Sequence, residues 1–241
     1  MLRYGLKFTV FNTGLSEVKR MGSVNIPCFK KQNVLVFQLY LNNMKPLIVL
    51  VGASGVGKTT LMQALCKKHH FAAAYEEHIE RPFQTLFKHD PQYALANQLD
   101  YLIHKAEQEK KLRQLNTPAV MDGGLDLDFH GFTRLFHARA WLSDLDFDLC
   151  RRLYALLRAM LPPPELIVML HAQETIIRQR LASRSRINIA SSEDAATLEK
   201  FINEWLEATH SSKILRVDVS HEAIDYAQTI SQIMENLNGK L

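Results

Sequence analysis

Apolar positions follow two alternating rhythms from Lys45 onward. Residues 47–51 (Leu-Ile-Val-Leu-Val) are uninterrupted apolar, the pattern of a strand buried on both faces. Further strands are expected at residues 72–75, 118–121, 166–170 and 214–219, the third of them an equally continuous apolar run. Between them apolar residues recur every three or four positions, which predicts helices over 59–69, 132–141, 145–160, 174–183, 193–209 and 223–237. A longer helix opens at Asp90-Pro91 and runs to Lys111, with Leu95, Leu99 and Leu102 facing inward, and Pro162, Pro163 and Pro164 stop the helix before the fourth strand. Strands alternating with helices specify right-handed crossovers. The expected fold is α/β in three layers, a mostly parallel sheet of about five strands flanked by helices.

Residues 1–43 break this pattern. They hold β-like stretches at 7–11 and 34–41, interrupted by Gly14, Gly22 and Pro27, with no helical period. They read as an organellar transit peptide, a small strand-bearing appendage, or an over-extended reading frame whose true start is Met44, the last being preferred. The chain thus divides into a basic extension, 1–43, and a domain, 44–241. Charge divides the same way. The 241 residues carry a net +4, yet residues 1–45 contain seven basic residues and one acid, which leaves the rest at −2. The body is not a basic nucleic-acid binder, so neither DNA nor RNA is an expected partner. Cys28, Cys66 and Cys150 are far apart and form no metal or disulfide pattern, which points to a reducing compartment. The expected location is cytoplasmic, or organellar if residues 1–43 are a transit peptide. The apolar runs are too short to span a bilayer, so no membrane is expected.

The first strand ends in the first chemical signal. Gly52, Ala53, Ser54, Gly55, Val56, Gly57, Lys58 and Thr59 match G-x-x-x-x-G-K-[ST], between a buried strand and a helix. Glycines let backbone N–H groups turn inward around phosphate oxygens, and the helix start adds its own N–H groups and partial positive charge. Lys58 would reach the β- and γ-phosphates of ATP, the Thr59 hydroxyl would ligate Mg²⁺, and Thr60 completes the turn. The expected fold is therefore that of a P-loop nucleotide-binding protein. The guanine-reading N-K-x-D pattern is absent.

After the second strand come E-E-H-I-E-R-P-F at 76–83, L-F-K-H-D-P-Q-Y-A at 86–94, and Gln98. With the phosphate loop, these residues resemble the deoxyribonucleoside kinase family, particularly its bacterial deoxyadenosine and deoxyguanosine kinases. There E-E-x-x-x-N-P-F is followed by F-Y-x-D-P-x-x-Y-A and a Gln on the next helix. The resemblance extends from residue 46 to about 237, and is clearest over 47–102. It implies a homodimer through long helices, with ATP and a deoxynucleoside as partners. Phosphoryl transfer to a sugar hydroxyl needs a carboxylate at the end of the second strand, and Glu76, ahead of Glu77, is placed there. Gln98 would read the nucleobase through its amide, and Tyr93, Phe83 and Arg81 would line the acceptor pocket. Arg178, Arg180, Arg184 and Arg186 form an arginine-rich lid over about 178–192, with Arg184 and Arg186 matching the family's R-x-R on the triphosphate.

The sequence departs from the family at the third strand. Where the family has Glu-Arg-Ser or Asp-Arg-Ser, this chain has Asp122-Gly123-Gly124. Asp122 remains as a Mg²⁺ partner, but the Arg is lost, with Arg81, Arg134 and Arg139 as candidate replacements. Asp126 and Asp128, followed by His130, would cap the next helix or reach a sugar hydroxyl. The expected activity is transfer of the γ-phosphoryl of ATP to the 5′-hydroxyl of a deoxynucleoside. The alternatives are a nucleoside monophosphate kinase, using Arg81 and Lys88 for the acceptor phosphate, and a non-catalytic ATP-binding module.

Overall fold

Leu47–Gly52 forms strand β1, and every one of its residues is buried. The computed structural model describes residues 44–74, 81–182, 192–210 and 212–237. β1 lies between β3 (Ala119–Asp122) and β4 (Leu166–His171), with β2 (Ala72–Ala74) outside β3 and β5 (Lys213–Asp218) outside β4. All four pairings are parallel. This central position explains the uninterrupted apolar run. Side chains alternate across a strand, and here both sides are covered. Ile48 and Leu50 pack with Leu61, Met62 and Leu65 of α1 (Lys58–Lys68) and with Ile230, Ile233 and Leu237 of α9 (Ala227–Leu237). Leu47, Val49 and Val51 pack on the other side with Leu112 of α3 (Ala94–Arg113) and with Ile202, Trp205 and Leu206 of α8 (Ser192–Ala208). The three-layer parallel fold is as expected.

Two elements differ from the sequence reading. Pro82–His89 forms α2, a helix the pattern did not single out, before a short 3₁₀ turn (Pro91–Tyr93) that precedes α3. The helix expected over 132–141 begins earlier. Gly124–Leu127 (α4) runs through a widened π-helical stretch, Asp128–Thr133, into Arg134–Ala138 (α5). Asp126 and Asp128 therefore sit inside this helical run rather than capping it. The widening has a local cause, because the Asp128 carbonyl accepts from two side chains, Gln98 Nε2 at 3.2 Å and Thr133 Oγ1 at 3.0 Å. Such donors compete with the helix's own N–H groups.

Helix α6 (Asp144–Met160) starts at a Ser143–Asp146 capping box and packs on α3. Cys150 joins Leu102, Leu125, Phe129 and Phe136 in the cluster that binds α3, α4, α5 and α6 together. At the end of the sheet where the strands begin, Arg113 is fully enclosed. Its Nε donates to Glu109 at 2.9 Å, Nη1 to Glu165 and to the Lys45 carbonyl, and Nη2 to the carbonyls of Pro162 and Pro163. Arg158 of α6 donates to both Glu109 oxygens at 3.0 Å and pairs through Nε with Asp126 at 3.2 Å. A cavity of about 500 Å³ opens beside this network, lined by Asp126, His130, Tyr154, Arg158 and Trp205 among others. It is at the opposite end of the sheet from the loop that follows β1.

Candidate functional site

The strands' C-terminal ends carry the site. β1 ends at Gly52 and α1 begins at Lys58, so the five-residue run between strand and helix folds into a loop. Ala53 and Ser54 are exposed, while Gly55, Val56 and Gly57 are buried. Gly57 has φ 116°, and a Cβ there would fall 2.0 Å from the Tyr226 hydroxyl, so this glycine is required by its backbone and by its neighbour. The start of α1 has no acidic residue in its first turn and no side-chain cap. Its positive end is thus uncompensated, as an anion-binding loop requires.

Lys58 stands at the head of α1. Its ammonium donates to the carbonyls of Gly52 at 3.0 Å and Ala53 at 3.2 Å, and lies 4.0 Å from Oδ1 of Asp122. Asp122 closes β3, next to β1, and is almost wholly buried. Thr59 and Thr60, half-buried, follow Lys58 on the first turn of α1. β2 approaches from the far side of β3, with Ala74 in register with Met121, the residue before Asp122. Glu76 and Glu77 follow β2 but lie outside the described residues, as do Arg184 and Arg186 with residues 183–191 of the proposed lid.

Two arginines of α7 (Glu174–Ala182) can be placed. Arg178 pairs with Glu174 at the surface. Arg180 instead reaches the loop, donating Nη1 to the Val56 carbonyl at 2.6 Å and Nη2 to that of Val219 at 3.0 Å. It ties the loop to the chain just beyond β5.

On the acceptor side, Gln98 is fully buried on α3 and held by the Asp128 carbonyl. Tyr93 is half-buried at the end of the 3₁₀ turn, and Phe83 on α2 is 40% exposed. Arg81 is joined to Asp100 by two hydrogen bonds of 2.5 and 2.7 Å, so the carboxylate offsets its charge. Arg134 pairs with Glu204 at 2.5 Å and covers the Phe201 ring, while Arg139 pairs with Asp194. Each of the three arginines considered for the missing cation is therefore engaged by a carboxylate. A lysine that the sequence reading passed over stands closer: Lys105 of α3 donates to the main-chain oxygen of Asp122 at 3.3 Å. Its spacing of seven from Gln98, two helical turns along one face, was the available signal.

Asp126 is drawn into the network at the far end of the sheet. It accepts from Tyr154 Oη at 2.8 Å, and burial raises its carboxyl above the ordinary range against the pull of Arg158. His130 meets the same hydroxyl at 3.2 Å and stacks on Trp205. Burial, aided by Arg134 and Arg158, lowers its imidazole to about 4.

A hydroxyl and a carboxylate beside a turned-in loop are hard oxygen donors suited to Mg²⁺, which binds through one or two carboxylates, water and phosphate. Among the described residues no cluster of three or more His, Cys, Asp or Glu side chains is poised to hold a metal. Thr59 and Asp122 are donors of the kind such an ion takes.

The chain resembles known proteins over most of this domain. The family model for deoxynucleoside kinase matches residues 48–241. A deoxyadenosine/deoxycytidine kinase of Bacillus subtilis (strain 168) is 20% identical over 197 residues, 79% of this chain and 91% of that protein. A deoxyguanosine kinase of the same strain is 24% identical over 165 residues, 68% and 78% of the respective chains. Among solved structures, the deoxyadenosine kinase of M. mycoides with bound dATP superposes with a TM-score of 0.64 at 21% identity, covering 80% of this chain and 99% of that one. The same enzyme with products dCMP and a flexible dCDP gives 0.65 at 21% identity, covering 80% and 98%. The chain belongs to the deoxynucleoside kinase family and is a phosphotransferase.

Proposed function

We propose that this protein transfers the γ-phosphoryl group of ATP, carried with Mg²⁺, to the 5′-hydroxyl of a deoxynucleoside. The observation that carries the reading is the placement of Lys58 4.0 Å from Asp122 at the mouth of a glycine-rich loop. A cation for the β- and γ-phosphates and a carboxylate for the metal then share one cleft. Mg²⁺, held through Thr59 and Asp122, would neutralise charge on the phosphates. Glu76, or Glu77 beside it, would take the proton of the acceptor hydroxyl. Gln98 has given one N–H to Asp128, and its other N–H and its carbonyl would pair with a base edge. Tyr93 and Phe83 would line the nucleoside, while Arg184 and Arg186 would close on the triphosphate. Arg81, paired with Asp100, helps hold α2 on α3 and offers no open cationic pocket for an acceptor phosphate.

In this reading the enzyme is a cytoplasmic homodimer that meets through the outer faces of α3 and α6. No helix among the described residues is long and apolar enough to cross a membrane. Cys66 and Cys150 are free thiols, which suits a reducing compartment.

The test is a panel of the four deoxynucleosides and their monophosphates, assayed with Mg-ATP. At least one deoxynucleoside should be phosphorylated, and Lys58→Ala should abolish ATP binding in a calorimeter. Turnover of monophosphates alone would overturn the reading. Tight ATP binding without any turnover would favour a binding module.

A further inference from the structure

The turn after β3 cannot carry the arginine that related kinases place there. Gly123 has φ 79° and ψ −73°, and Gly124 has φ 81°, backbone conformations that L side chains rarely adopt. A Cβ on Gly123 would lie 3.2 Å from Leu127, and one on Gly124 3.3 Å from Val49. The double glycine is therefore built into the geometry, and a long cationic side chain at 123 would require the turn to be remade.

A cation nevertheless reaches the same place from another element. Lys105 is half-buried on α3, with its ammonium 3.3 Å from the Asp122 carbonyl oxygen. Lys58 approaches the Asp122 carboxylate from the loop side. Two ammonium groups thus bracket one aspartate, and among the described residues no carboxylate forms an ion pair with Lys105. A half-buried ammonium whose acceptor is a neutral carbonyl oxygen keeps its full charge to offer an anion. Lys105 shares a face of α3 with Gln98, the side from which the acceptor would enter.

We propose that Lys105 supplies, from α3, the acceptor-side positive charge that the turn at Gly123 cannot carry, and contacts the phosphoryl group in transit. The proposal rests on the kinase reading above. In that reaction the acceptor hydroxyl oxygen forms a bond to the γ-phosphorus as the bond from that phosphorus to the β,γ-bridging oxygen breaks. The hydroxyl proton passes to a carboxylate, and ADP leaves with the electron pair of the broken bond. Lys105 stays protonated throughout and offsets charge on the transferring oxygens. Its four-carbon stem lets the ammonium swing from the Asp122 carbonyl to that group.

The test compares Lys105→Gln and Lys105→Arg with the full-length protein, using a deoxynucleoside that the unaltered enzyme accepts. Lys105→Gln should lower kcat roughly 100-fold, the loss typical when one group stabilising transition-state charge is removed. Its calorimetric affinity for Mg-ATP and its unfolding temperature should be unchanged. Lys105→Arg should recover most of the lost turnover, because it restores charge within reach. Added ethylammonium should raise the turnover of Lys105→Ala in a saturable way. Wild-type kcat in Lys105→Gln would overturn the proposal and leave the kinase reading intact. An arginine variant as impaired as the glutamine variant, or a parallel loss of ATP affinity, would also overturn it by showing a packing role. If the unaltered enzyme phosphorylates no deoxynucleoside, the kinase reading fails and this proposal falls with it.

Discussion

His130 shows how one enclosed side chain sets a pH dependence. Tyr154 Oη donates a hydrogen bond to Asp126, so its oxygen is left to accept from the Nε2–H of neutral His130. A second proton on the ring would place charge beside Arg134 and Arg158, in a site poor in water, which is why the imidazole falls from 6.5 to about 4. The unfolded chain then binds a proton between those values that the folded chain refuses. The stability contributed is fully present above 6.5 and is lost as pH falls toward 4. Between about pH 7 and about pH 5 this group alone should remove roughly 2 kcal/mol. His130→Gln keeps a donor for Tyr154 but does not titrate, so urea unfolding at both pH values should show a shallower loss in the variant. Equal slopes would locate the pH dependence elsewhere. None of this was legible in the sequence, since His130 gains its environment from Tyr154 and Trp205, residues far along the chain. The phosphate loop was legible because its chemistry depends on contiguous residues. For Lys105 the spacing from Gln98 gave its helix face, but not its partner, which is a main-chain oxygen at the end of β3.

The same distinction decides which elements could be read. The central strands β1, β3 and β4 declared themselves through apolar runs, because burial on both faces is written into consecutive residues. Helix α2 did not. Eight residues are too few for a helix to persist by propensity, and this one is secured by Phe87 against Phe136 and Trp141, with centroids 4.8 and 5.4 Å away. The π-helical stretch was equally hidden, since its cause includes the Gln98 amide on α3. Connections between elements depend on Arg113, whose guanidinium joins the end of α3 to the entry of β1 and to the link between α6 and β4. Arg113→Met would leave Glu165 without its cation, Glu109 with Arg158 alone, and the carbonyls of Lys45, Pro162 and Pro163 without their donor. The expected cost is about 3–5 kcal/mol, a fall in Tm on the order of 10 °C for a domain of this size. Arg151→Met, which removes an exposed pair with Asp148, should cost under about 1 kcal/mol. A similar Tm for the two variants would mean that the enclosed network contributes no more than a surface pair.

Across the whole molecule, the outer side of α3 and α6 carries more apolar surface than a solitary domain needs. Leu145, Leu149, Leu156 and Met160 recur along one side of α6, with Leu156 60% exposed, and Ile103 adds to them from α3. This stripe supports the homodimer that the family resemblance implies. Light scattering should give twice the mass of the 241-residue chain, and Leu156→Glu with Met160→Glu should halve it. A monomer before substitution would remove the argument. The clamp at Arg113 has a mechanical consequence at this scale. Lys45 is joined to Arg113 twice, by its N–H to the Arg113 carbonyl at 3.1 Å and by its own carbonyl to Nη1 at 3.3 Å. Tension arriving along the backbone from before Met44 meets this double link ahead of the first strand. Past it, β1 is laced to a neighbour on each side, so unravelling from that end must shear two ladders together, whereas among the described residues β5 pairs with β4 alone. Pulled from its leading end, the sheet should therefore resist more than when β5 is peeled from β4.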